Sequence, residues 1–193
     1  MSNLQSLLKD LTSGEEPRAE KAVPALIDLG EDAIPALLEL TRSTDMDARW
    51  WALRTLAQSP LAQTEWLVPF LEDSAPEVRQ CAALGLAHQG KPDESATAPL
   101  VHALSDKDTL VGNLAVKALV NIGKPAVPSL IEKVKSGSQS ARILALLALV
   151  EIRDPRAIPT MMQVMGEDSA LLQHWAKEGL EKLGLDMVYM KPE

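Results

Sequence analysis

The sequence predicts an all-α fold, an α-solenoid of about five stacked helical hairpins with capping helices at its ends. Three observations predict it. The 193 residues are 46% hydrophobic and 24% charged, the balance of an ordered protein, yet only 3% are aromatic. Sheets lean on aromatic and β-branched residues, and here Ala, Leu, Glu and Lys stand in their place. The second observation is a repeat. Ala followed four residues later by Leu recurs at Ala22/Leu26, Ala52/Leu56, Ala82/Leu86, Ala115/Leu119, Ala145/Leu149 and Ala176/Leu180, in steps of 30, 30, 33, 30 and 31 residues. A spacing of four puts both residues on one helical face, the small one allowing close approach and the large one filling the gap. The third is a second apolar segment at a nearly constant distance after each of the first five, so each unit reads helix, turn, helix. One such hairpin cannot bury its own apolar stripe, and neighbours must stack.

Residues 1–16 hold an unpaired amphipathic helix with Leu4, Leu7, Leu8 and Leu11 on one side, a cap for the first hairpin. The repeats fill 17–184. Pro24 falls inside the first repeat helix, where a missing N–H predicts a kink. Second helices open on Pro35, Pro128 and Pro159, 13, 13 and 14 residues after their partner alanines. Proline suits a first helical turn, whose N–H groups have no intrahelical acceptor. Glu65 and Ala98 take that slot in the second and third units, and the loop GKPDES explains the longer third spacing. Leu37, Leu67 and Leu71, Leu100 and Leu104, Leu130 and Val134, and Met161 and Met165 follow two and six positions on, with Thr41 breaking the series. A last helix spans 169–183 with Lys177, Glu178, Glu181 and Lys182 on its outer face. The tail, 185–193, leaves the repeat; its Leu185, Met187, Val188, Tyr189 and Met190 either cap the last hairpin or dock on another chain. The whole is expected to be a single domain, 1–193, forming an arc.

A net charge of −8 argues against nucleic acid, whose backbone calls for a basic surface. No secretory leader or membrane-length apolar run is read, so no membrane association and a cytoplasmic location are expected. One cysteine, Cys81, rules out an internal disulfide framework and Cys-based zinc, and three scattered histidines make a metal centre unexpected. Cys81 shares a slot with Trp51, Leu114, Leu144 and Trp175, a slot expected to face the core, where free cysteine packs as a small hydrophobe. His88 and His174 are read without an acidic partner one turn away. With no HExxH, Gly-rich phosphate loop or Ser/His/Asp set, the expectation is no catalytic residue, no cofactor and no enzyme.

The segment EVRQCAALGLAHQGKPDESATAPLVHALSDKD, 77–108, resembles a HEAT repeat of the short bacterial type, the kind also found in phycobilin lyase subunits. The resemblance runs over 17–184. It implies a scaffold that binds other macromolecules, with an Arg early in each first helix meeting an acidic residue in a neighbouring turn. Arg49, Arg79 and Arg142 hold that position, with Asp45, Asp47, Asp73 and Glu77 nearby; Ala19, Gly112 and Gln173 depart from it. HEAT-like iron hydroxylases use His-Glu pairs, and no His-Glu dipeptide occurs here.

Second helices normally line the concave side of such arcs. Glu39, Pro69, His102, Glu132 and Gln163 stand four residues after the Pro slot, and Trp66 one residue after it. These six are the expected protein-binding residues: Trp66 as an aromatic anchor or, in the plainer reading, as packing for the next unit, Pro69 beside it in the apolar centre of the strip, and His102, Glu132 and Gln163 as polar contacts. Trp50 is expected to point outward. The expected function is therefore a non-enzymatic scaffold or adaptor holding another protein or peptide on the concave face, in an oligomeric state left open. The alternative, implied by the resemblance, is a bilin (tetrapyrrole) lyase or chaperone-type subunit.

Overall fold

The computed structural model describes residues 3–167 and 169–185, and among these every regular element is helical. The described residues pack as two compact units that meet in sequence at Gln89 and Gly90. The first holds α1 (Asn3–Leu11), α2 (Glu16–Asp28), α3 (Ile34–Leu40), α4 (Met46–Gln58), α5 (Thr64–Leu67) and α6 (Pro76–His88). The second holds α7 (Thr97–Ala103), α8 (Thr109–Ile122), α9 (Val127–Ser136), α10 (Gln139–Ile152), α11 (Ile158–Met165) and α12 (Ala170–Lys182). No single helix among the described residues is long and apolar enough to cross a membrane.

In the first unit α1 lies on α2 and α4, α4 packs between α2 and α6, and α3 and α5 cover one side. Leu11 is fully buried and Leu4, Leu7 and Leu8 pack on the same core, so α1 is the cap that its leucines predict. Pro24 does not end α2, which continues to Asp28 with the proline ring exposed. Pro69 has the opposite effect: α5 stops after one turn and the chain continues as a 3-10 segment, Val68–Glu72, that still buries Leu67 and Leu71. Thr41, the polar break in the apolar series, is buried too; its hydroxyl donates to the Leu38 carbonyl at 2.7 Å, which satisfies it locally.

In the second unit α10 is the central helix, packed on α8, α9 and α12, with α7 and α11 flanking α9. The Ala/Leu series is buried in both units, from Ala22 and Leu26 through to Ala176 and Leu180. The last hairpin slips by one residue: Val164 is buried and Met165 is half-buried, as the 14-residue Pro159 spacing requires. The slot of Trp51, Cys81, Leu114, Leu144 and Trp175 is half-buried throughout and so edges the core, which corrects the expectation of a core-facing position. Met187, Val188, Tyr189 and Met190 lie outside the described residues.

The arginines tie turns together. Arg49 donates to the Ser43 and Thr44 carbonyls behind it and forks onto Asp73 ahead, with both N–O distances 2.9 Å. Arg142 reaches the Val134 carbonyl and Glu167 in the same way, at 2.6 Å each. Arg79 donates to the Asp73 carbonyl at 2.9 Å. Gln173, in the arginine slot of α12, keeps the backward half of the clamp by donating to the Met165 and Glu167 carbonyls.

Candidate functional site

Sequence repetition places one residue per second helix at the same outward position, and the structure keeps it there. Glu39 and Pro69 in the first unit, and His102, Glu132 and Gln163 in the second, are exposed. Glu39 pairs with Arg42 at 3.1 Å and Glu132 with Lys135 at 2.9 Å, each one turn along its own helix. Both pairs are solvated and hold little energy. Trp66 differs from the rest: it is half-buried against the first unit's core, alongside Trp51.

In the second unit α7, α9 and α11 bring His102, Glu132 and Gln163 onto adjacent helices. A shallow, open groove of about 450 Å³ runs between α7 and α9, with Ala98, Pro128 and Glu132 exposed along it. Ala98, Val101 and Pro128 give it an apolar floor; Glu132 and Lys133 give it opposite charges at the rim. Lys133 also donates to the Ser105 hydroxyl at 3.3 Å, which positions the ammonium. Of these residues, sequence register names Glu132 as a binding candidate and places Ala98 and Pro128 only as helix starts. Lys133 sits beside it one residue on, and the signal that could have found it is its place on the rim side of α9, five residues after Pro128.

The titratable groups point away from nucleophilic chemistry on Cys81. Burial pushes its thiol up to about 12, and the nearby Arg54 charge offsets only part of that. His174 corrects an expectation: its Nε2 lies 3.9 Å from a Glu178 oxygen, one turn along α12, a spacing already present in the sequence. No group of three or more His, Cys, Asp or Glu among the described residues is placed to hold a metal ion.

Comparison with known proteins decides what the repeats are. The HEAT repeats family matches residues 64–136, and the PBS lyase HEAT-like repeat matches 141–167. The repeats are HEAT repeats of the short bacterial type. A phycocyanobilin lyase subunit beta from Pseudanabaena tenuis (strain PCC 7409) is 35% identical over 78 residues, 40% of this chain and 28% of the relative. The chain spans less than half the length of the curated relatives it matches. Among solved structures, the complex of CpcE and CpcF of phycocyanin lyase from Nostoc sp. PCC7120 is similar with a TM-score of 0.57 and 26% identity, covering 75% of this chain and 96% of that one. The archaeal HEAT-like repeats protein from Thermococcus onnurineus NA1 has a TM-score of 0.65 at 15% identity, covering 95% of this chain and 81% of that one, and shows the shared fold. These relatives correct one expectation. The HEAT scaffold stands, but the expectation of no enzymatic role is overturned by relatives named as lyase subunits.

Proposed function

We propose that this HEAT-repeat chain is a bilin lyase or chaperone-type subunit, which grips a linear tetrapyrrole and a protein partner on the outward faces of its second helices. The observation that carries this is the similarity to the phycocyanin lyase complex, which extends over three quarters of the chain rather than over one repeat. The α7–α9 groove supports it chemically. Its floor of Ala98, Val101 and Pro128 suits pyrrole faces, and the Lys133 ammonium suits a propionate. His102 and Gln163 then offer polar contacts to a partner protein on either side of α9. Titrating phycocyanobilin with the protein at micromolar concentration tests the reading. A saturable change in bilin absorbance is expected, weakened by Lys133→Gln. An unchanged spectrum overturns it.

A further inference from the structure

The first unit holds a second cavity, and it has no part in the tetrapyrrole reading. It measures about 430 Å³ and lies between the α1–α2 turn and the start of α4. Gly14 forms its rim with φ +74, a backbone region that favours glycine, and no atom lies within 4 Å of where a Cβ would stand. Leu11, Trp50 and Trp51 provide the apolar wall, the two indoles meeting edge to face at 4.8 Å between centroids. Glu16, Asp45 and Asp47 supply three carboxylates to the lining, which has no lysine or arginine. Asp45 is engaged, accepting from the Asp47 amide at 3.1 Å. Glu16 and Asp47 make no side-chain hydrogen bond or ion pair with any described residue. Glu16, Asp45 and Asp47 are exposed; the start of α4 adds roughly half a positive charge from its dipole and the Arg49 guanidinium acts on Asp45, which leaves Glu16 and Asp47 without a cation of their own among the described residues.

The indoles already show what they accept. The Arg54 guanidinium lies 5.2 Å from the Trp50 ring centre and 5.1 Å from that of Trp51, and Glu20 neutralises it at 3.3 Å. Arg54 stays out of the cavity lining. A second guanidinium entering the cavity would meet aromatic wall and unpartnered carboxylate together, the two features that a planar, weakly hydrated cation uses and a compact ammonium uses less well.

We propose that this cavity, walled by Trp50 and Trp51 and rimmed by Glu16 and Asp47, is a docking pocket for an arginine side chain on an exposed segment of a partner protein. The test uses the full chain and a blocked hexa-arginine peptide, followed through the indole N–H resonance of Trp50, identified by its loss in Trp50→Phe. Saturable movement of that resonance is expected. Asp47→Asn should weaken binding two- to about fivefold, the upper part of the range for one surface ion pair, whereas Glu94→Gln, the same charge change in the other unit, should alter it less than twofold. Hexa-lysine should bind more weakly than hexa-arginine. Equal weakening by the two variants would reduce the effect to net charge and overturn the proposal. It is equally overturned by an unmoved Trp50 resonance, or by hexa-lysine binding as tightly. All three outcomes are independent of the bilin titration, so either reading can fail alone.

Discussion

Leu119 is fully buried on α8, at the packing position the repeat assigns to it. Replacing it with Ala removes buried methyl groups and leaves a cavity, a change that costs about 2–5 kcal/mol. A clear fall in the thermal midpoint is expected; an unchanged midpoint would mean that the repeat register is wrong. Asp154 makes a different contribution. It accepts from the Arg156 guanidinium at 2.9 Å and from the Arg156 amide at 3.0 Å, while Arg156 also donates to the Lys124 carbonyl. The Arg156 hydrogen bonds hold the Asp154 carboxyl down at about 2, against an ordinary 3.8. A carboxyl depressed on folding stabilises the folded chain fully above about pH 4, and that stabilisation is lost as pH falls toward 2. Asp154→Asn should therefore show a lower urea midpoint than the parent at pH 5, and the gap should narrow steadily at pH 3.5 and 2.5. A gap independent of pH would mean that the ionisation of Asp154 contributes nothing to stability, since Asn keeps the cap.

Helices approach closely where the repeat puts a glycine, and the neighbour decides what that glycine is for. A Cβ on Gly85 of α6 would stand 2.8 Å from the Ala57 Cβ of α4, an atom with no side-chain freedom to retreat. On Gly112 of α8 its one close contact would be the Cδ1 of Leu144 at 2.9 Å, the far end of a flexible side chain, with the Ala103 and Leu104 carbonyls at ordinary contact distances of 3.7 and 3.8 Å. Helix propensity favours Ala over Gly by about 1 kcal/mol at both sites, and overpacking opposes it by about 1–3 kcal/mol. Gly85→Ala should destabilise, and Gly112→Ala should be neutral or mildly stabilising, by denaturant midpoints measured side by side. The same packing explains what was legible in the sequence. Ala/Leu spacing and the Pro slot place the helices and their buried positions because both report local periodicity. Pro69 ending α5 while Pro24 leaves α2 intact could not be read from periodicity, since the two depend on how the flanking turns pack. The outward residues of the second helices follow from register. The Trp50–Trp51 cavity does not, because it needs the α1–α2 turn brought against α4, residues more than 30 positions apart.

At the scale of the whole molecule, buried and exposed residues occupy different sides of the second helices, and the proposed recognition surface takes the exposed side, so substitutions should separate stability from binding. Trp66 sits at the boundary, half-buried on the first unit's core. His102 and Gln163 are exposed at the outward register of α7 and α11. Truncating a fully buried Trp costs about 3–5 kcal/mol, so a half-buried one should cost about 2 kcal/mol. In a chain of this length that lowers the thermal midpoint by about 4–8 °C. The double variant His102→Ala, Gln163→Ala removes little buried surface and should leave the midpoint within about 2 °C, since each exposed substitution rarely exceeds about 0.5 kcal/mol. Binding should divide the other way. If the outward faces hold a lyase partner subunit, the double variant loses affinity with its fold intact, while Trp66→Ala loses stability whether or not it loses affinity. Measuring affinity for the partner and the thermal transition on the same preparations distinguishes the cases. A double variant that binds as tightly as the parent would remove the second helices of this unit from the recognition surface. A Trp66→Ala chain that melts normally yet binds poorly would make Trp66 an anchor of the interface rather than a member of the core.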